Sequence, residues 1–171
     1  MRKRTQYLVH AAILAALYAV LTYLQNLVLP DSASMAIQMR LAEALCVLSF
    51  FTPAAAPGLA MGCLIFNLCY SAALPLDFLV GTAATYLACK GMWLCRKLTV
   101  KGIPLPGLTF PALTNAVLVG WELTAYIGGG FLINALCVAV GELVVLLIFG
   151  TGLYTVMKRR HLDRRIFKET A

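Results

Sequence analysis

Charge is almost absent from the interior of this chain. Between residues 7 and 157 the sequence is a series of apolar runs, each long enough to cross or nearly cross a bilayer, and 13 of the 14 Lys and Arg residues fall where one face of that membrane would lie. The pattern predicts a small polytopic membrane protein. A chain of 171 residues spent almost entirely on spanning helices leaves no room for a soluble catalytic domain. Its action is therefore expected within the membrane or at its surfaces, as transport, sensing or intramembrane chemistry.

Composition agrees: 61% hydrophobic, 12% charged and a mean hydropathy of +0.86 lie outside the range of soluble globular domains. The net charge of +7 raises nucleic acid as a partner. The basic residues, however, form three clusters that each flank an apolar run: Arg2-Lys3-Arg4; Lys90, Arg96, Lys97 and Lys101; and Lys158-Arg159-Arg160 with Arg164, Arg165 and Lys168. The positive-inside rule accounts for that distribution, and no nucleic acid is expected.

The cysteines Cys46, Cys63, Cys69, Cys89, Cys95 and Cys137 lie in or at the ends of apolar runs without CxxC spacing or a nearby His, and read as small core residues. His10 and His161 are far apart and close to the basic face, so no metal or other cofactor is expected.

The first run, residues 7–29, is long enough at about 1.5 Å per residue for a hydrocarbon core of about 30 Å, and Pro30 ends it. A basic start before an apolar stretch also fits a signal peptide, with Ser32-Ala33-Ser34 as a loose cleavage site, but the run exceeds the usual apolar length and reads as a retained helix. Runs at 41–56 and 57–74 are separated only by Pro53 and Pro57-Gly58 and predict a tight hairpin whose first helix is broken or does not fully cross. Further runs cover 78–94, 108–127 and 131–157, with Gly128-Gly129-Gly130 as the last turn. The expected fold is all-α, one transmembrane domain over 1–171. Six helices embedded from about 7 to 157 would leave both termini, including a basic tail from 158 to 171, in the cytoplasm.

Only Arg40 breaks the charge bias, since it follows the first crossing; pairing with Glu43 or with a ligand would account for it. By depth, Arg40 and Glu43 open the second helix, Asn67 is near the end of the third, and Asp77 begins the fourth. Glu122 lies about a turn and a half from the end of the fifth, and Asn134 opens the sixth. An ionisable group at helix centre costs about 2.5 to 3.5 kcal/mol on insertion scales, so these residues are expected to face a protein interior or a wet cavity. Asn115 and Glu122, seven apart, share a face of the fifth helix; Asn134 and Glu142, eight apart, lie within a quarter turn on the sixth.

With Trp121, Tyr126 and Tyr86 beside them, these groups fit a planar, nitrogen-rich heterocycle. Carboxylates accept paired N–H bonds, Asn both donates and accepts, and aromatic rings cover a flat ring system. The same groups could instead pair with one another to lock helices together. Ala11, Ala15 and Ala19, with Ala12 and Ala16 beside them, form a smooth stripe on the first helix that admits another helix, from a partner or from the same chain.

Three segments then carry a resemblance: Ile37-Gln38-Met39-Arg40-Leu41-Ala42-Glu43-Ala44-Leu45, Phe50-Phe51-Thr52-Pro53-Ala54-Ala55-Ala56-Pro57-Gly58-Leu59, and Gly62-Cys63-Leu64-Ile65-Phe66-Asn67. Together with Thr114-Asn115-Ala116, Val119-Gly120-Trp121-Glu122, Asn134-Ala135-Leu136 and Gly141-Glu142-Leu143, the chain over residues 6–157 resembles the QueT family, substrate-binding S components of energy-coupling factor (ECF) transporters. The resemblance implies a bacterial plasma-membrane protein that captures a queuosine precursor, a 7-deazaguanine base, from outside. It would dock through the Ala-rich first helix on a transmembrane coupling protein and two ATPases. No GxxxxGK[ST] phosphate loop is present, so this chain would not itself hydrolyse nucleotide.

On this reading Glu122 and Asn115 meet the guanine-like edge, Asn134 and Glu142 complete the pocket with Arg40 and Asn67 nearby, and Glu43 or Asp77 pairs with an aminomethyl cation while Arg40 orders Glu43. The segments 30–36 and 69–75 depart from the family pattern, which leaves open an S component for another vitamin such as biotin, folate or thiamine. An ATPase-independent carrier could use the same carboxylates. An intramembrane enzyme is disfavoured, since no Ser–His or HExxH pattern accompanies the two histidines.

Overall fold

The computed structural model describes residues 2–30, 39–70, 74–100 and 102–167. Ile37 and Gln38 of the motif above, and Lys101 and Lys168 of the basic clusters, lie outside the described residues. Regular structure among them is helical, apart from an isolated bridge between Val100 and Ile103. Helix α1 (Arg2–Val28) is followed by a 3-10 helix (Leu41–Phe50), α2 (Ala55–Cys69), α3 (Asp77–Leu94) and α4 (Leu105–Tyr126). Helix α5 (Phe131–Val145) then runs through a π turn (Leu146–Gly150) into α6 (Thr151–Arg159), and a short α7 (Leu162–Ile166) closes the chain.

The expected break in the second run is therefore a change of helix type. Ten residues of 3-10 helix rise about 2 Å each, near 20 Å in all, which is short of a hydrocarbon core of about 30 Å. Phe51 to Ala54 then turn the chain into α2, which starts at Ala55 rather than 57 because Pro57 sits in the first turn, where no backbone N–H is needed. Three residues per turn also eclipse every third side chain, so Glu43, Cys46 and Ser49 form one buried ridge.

Among the described residues, Lys3–Val28 and Phe131–Arg159 are long and apolar enough to cross a membrane. The bundle has the polarity of a membrane protein. Leu8, Ile13, Leu17, Leu27, Val28, Leu132, Ile133, Leu136, Ile148 and Phe149 are exposed on its sides, while Arg40, Glu43, Asp77, Glu122 and Glu142 are buried inside. In water such an apolar surface would aggregate; in lipid it is the solvated face.

Helices α1 and α2 touch backbone to backbone. A Cβ on Gly58 would lie 2.6 Å from the Ala11 carbonyl oxygen, and one on Gly62 would lie 2.5 Å from that of Ala15. The two glycines thus seat α2 against Ala11 and Ala15, with Leu14 and Tyr18 buried beside them. Helix α4 meets α5 as closely, since a Cβ on Gly120 would fall 2.8 Å from the Cα of Ala135. At the basic end, Arg96 stacks on Trp93 at 3.8 Å, and the buried Phe167 meets His10 edge-on at 5.2 Å, so the tail folds back beneath α1. An open cleft of about 760 Å³ lies at this end, lined by Phe50, Phe51, Lys158, His161, Arg164 and Arg165 among others.

Candidate functional site

Arg40, Glu43, Asn67 and Asp77 gather away from the basic end, where α1 and α2 end and the 3-10 helix and α3 begin. Gln25, near the end of α1, fixes the entry. Its amide N–H₂ donates to the Met39 carbonyl and its Oε1 accepts the Leu41 N–H at 2.7 Å, so both neighbours of Arg40 are held by one side chain. Arg40 enters the bundle and its Nη2 donates to both carboxylate oxygens of Asp77 at 3.2 Å. Asn67 donates to the Asp77 carbonyl at 2.8 Å, which ties the end of α2 to the start of α3. Gly81 leaves the room: a Cβ there would sit 2.9 Å from Asn67 Nδ2, 3.0 Å from Asp77 Oδ1 and 3.3 Å from Arg40 Nη1.

Glu43 has a different role from the one expected. The ion pair of Arg40 is with Asp77, 37 residues on, while the Glu43 carboxylate is met by protein donors. Its Oε1 accepts from the Tyr18 hydroxyl at 2.5 Å and the Thr85 hydroxyl at 3.0 Å, and its Oε2 accepts from the Cys46 thiol at 3.0 Å. A fully buried carboxylate is tolerated when donors surround it, and these three join α1, the 3-10 helix and α3 at one point.

Glu122, Glu142 and Asn115 are buried just as deeply, yet both oxygens of each carboxylate and the Nδ2 of Asn115 have no hydrogen-bond partner among the described residues; neither does Asn67 Oδ1. Glu122 lies within electrostatic range of Asp77 and Arg40, and Glu142 within that of Glu43 and Arg40. At about 1.5 Å per residue, Asn115 and Glu142 lie at similar depth, each roughly 16 Å from the α4–α5 turn, with Glu122 nearer that turn. Buried polar atoms normally have partners, because desolvating an unpaired carboxylate costs several kcal/mol. An arrangement of four carboxylate oxygens and an amide can bind a ligand that carries several N–H donors.

Other expected site residues lie elsewhere. Asn134 donates to Thr124 Oγ1 and to the Gly128 carbonyl, both at 3.0 Å, and so clamps the α4–α5 turn. Trp121, Tyr126 and Tyr86 are 54%, 45% and 39% exposed and face outward, with Lys90 over the Tyr86 ring at 5.6 Å. Successive helical residues point about 100° apart, so Trp121 faces out where Glu122 faces in. The alanine stripe divides: Ala15 is buried and Ala11 and Ala19 partly so, with Ala11 and Ala15 against α2, whereas Ala12 and Ala16 are exposed.

Tyr18, Gln25, Thr85 and Gly81 were not singled out from the sequence. Tyr18 and Gln25 are seven apart, the same one-face spacing that marked Asn115 and Glu122, and that spacing is the signal that could have found them. Asn26 is buried too, with its amide unpartnered among the described residues. Of the cysteines, Cys46, Cys63 and Cys89 are buried, Cys95 and Cys137 intermediate and Cys69 exposed; all are free thiols.

An all-helical bundle with an apolar outside and a closed-in set of carboxylates and amides is the build of a membrane protein that handles a small polar solute. Comparison with known families agrees, for the model of the QueT transporter family matches residues 8–159. The chain belongs to that family of membrane transporters. No curated protein and no solved structure matches it.

Proposed function

We propose that this chain is the substrate-capture subunit, the S component, of an ECF-type importer for a queuosine precursor, a 7-deazaguanine base. It would be a multi-pass protein of the bacterial plasma membrane with six crossings, the 3-10 helix forming the shortest. Both termini and the loop after α3 would be cytoplasmic. The carrying observation is the unpartnered acceptor set of Glu122 and Glu142 with the Asn115 amide. A guanine-like edge presents a ring N–H and an exocyclic amine side by side, which is the donor pair that the Glu122 carboxylate lacks. Asn115, two turns along the same face, offers a donor to a ring carbonyl. Family membership supports transport. The chain has no phosphate loop, so energy would come from two ATPases through a coupling protein docked on α1, where Ala12 and Ala16 are exposed.

Equilibrium binding to the purified chain in detergent tests this reading, with queuine, its aminomethyl and cyano precursors, guanine, biotin and thiamine as the panel. Nanomolar binding of one deazaguanine with guanine rejected is the expected result. Tight binding of another vitamin instead would keep the architecture and replace the substrate. Silence across the panel, with solute flux in the absence of any ATPase, would make the protein a carrier.

A further inference from the structure

The cleft at the basic end is graded in depth. Its rim carries Lys158, Arg164 and Arg165, with His161 beside them, and its floor is Phe50 and Phe51. Both floor rings pack on Tyr154, at 5.9 and 5.4 Å between centroids. Tyr154 precedes the end of α6 at Arg159 by more than a turn, about 7 Å inward along the helix. The short 3-10 helix accounts for the hollow: it stops before the end of the bundle, so the rings that finish it lie below the rim. The chain then reverses at His161, whose φ of 52° is left-handed, and the turn brings Arg164 and Arg165 back to line the cleft.

The positive-inside rule accounts for cations at this end but not for a cleft that gathers them above aromatic rings. Lys158 lies 5.2 Å from the centre of the Phe51 ring and pairs with Asp163 at 3.0 Å, so its charge is offset in place. Arg164 and Arg165 are exposed and form no ion pair among the described residues. The rim thus keeps two guanidiniums for an anion, and a guanidinium meets phosphate oxygens with paired N–H donors. A free phosphate would use the rim alone. A volume of about 760 Å³ with an aromatic floor suits an amphiphile, its phosphate at the arginines and the start of its acyl tails against the rings. The bilayer delivers such a molecule at this level, because the candidate span Lys3–Val28 begins, and Phe131–Arg159 ends, at the basic end. We infer that the cleft is a binding site for an anionic phospholipid, its phosphate held by Arg164 and Arg165 above Phe50 and Phe51. The site does not depend on which solute is captured at the other end.

The test is native mass spectrometry of the full chain in detergent, titrated with phosphatidylglycerol and with phosphatidylcholine of the same acyl tails. One phosphatidylglycerol should bind at least about tenfold more tightly than phosphatidylcholine. Arg164→Gln with Arg165→Gln should abolish that preference. Lys90→Gln with Lys97→Gln removes two exposed charges outside the cleft and should hold the preference within about twofold. Equal affinity for the two lipids overturns the proposal without need of any variant. Equal losses in the two double variants do so as well, since the preference would then belong to the overall surface charge. Inorganic phosphate and glycerol phosphate, added as competitors at the lipid concentration, should not displace the lipid; displacement would make the ligand a soluble phosphate. A preference that survives Arg164→Gln with Arg165→Gln ends the lipid assignment and leaves the arginines to another partner, such as an acidic protein segment.

Discussion

Tyr18 donates a 2.5 Å hydrogen bond to Glu43, so the middle of α1 is tied to the 3-10 helix through a buried carboxylate 25 residues away. The same carboxylate oxygen accepts from Thr85 of α3. Three elements therefore share one acceptor, and the 3-10 helix is held in place by side-chain chemistry as well as by packing.

Tyr18→Phe keeps the ring and removes the donor. A hydrogen bond to a charged group contributes about 1.5 to 3 kcal/mol, so the variant should melt at lower temperature in detergent than the parent. In a double-mutant cycle with Thr85→Val the two losses should be non-additive, because both hydroxyls serve Glu43 Oε1. Additive losses in the thermal unfolding data would separate the two bonds and end the shared-acceptor account.

The Arg40–Asp77 pair makes the opposite point about cost. Asp77→Asn leaves a buried guanidinium short of its counter-charge, and breaking such a pair costs about 3 to 5 kcal/mol. The double variant Arg40→Met with Asp77→Leu removes both charges and should recover much of that loss. Thermal unfolding of the single and double variants checks this. A double variant less stable than Asp77→Asn would mean that the pair contributes more than charge compensation.

Much of the architecture was legible in the pattern of charges and breakers. Pro30, Pro53 and Gly128-Gly129-Gly130 mark helix ends that the structure also has. The helix type of residues 41–50 was not legible, because a run that is apolar at nearly every position does not distinguish a period of 3.0 from one of 3.6. Nor was the partner of Arg40. Glu43 is near in sequence, but the side chain reaches Asp77, which α2 and its hairpin bring back to the same place. The burial of Glu122, Glu142 and Asn115 could be read, because a polar group inside an apolar run is expected to face the protein interior. The aromatics could not be placed from sequence, since a shift of one residue turns a helical side chain from interior to lipid.

The alanine stripe now divides into two tests. Gly62→Leu would drive a side chain into the Ala15 carbonyl and should unfold the α1–α2 contact, with loss of both binding and uptake. Ala12→Trp and Ala16→Trp lie on the exposed face and should leave substrate binding unchanged while stopping uptake in cells that carry the coupling module. Normal uptake by both tryptophan variants would remove this face of α1 as the docking surface.

Glu122 and Asn134 separate recognition from support. Both are polar residues near the α4–α5 turn, but Glu122 has no partner among the described residues, whereas Asn134 spends its amide on Thr124 and Gly128. Glu122→Gln should therefore weaken binding more than about tenfold, or about 1.4 kcal/mol, with the melting temperature held. Asn134→Ala should do the reverse: it lowers the melting temperature, since two hydrogen bonds of about 1 kcal/mol each are lost, and leaves affinity within about twofold. Affinity and melting temperature measured on one preparation of each variant settle the assignment. If Asn134→Ala loses affinity at constant stability, the turn clamp belongs to the binding site after all, and the pocket extends from Glu122 up to the α4–α5 turn.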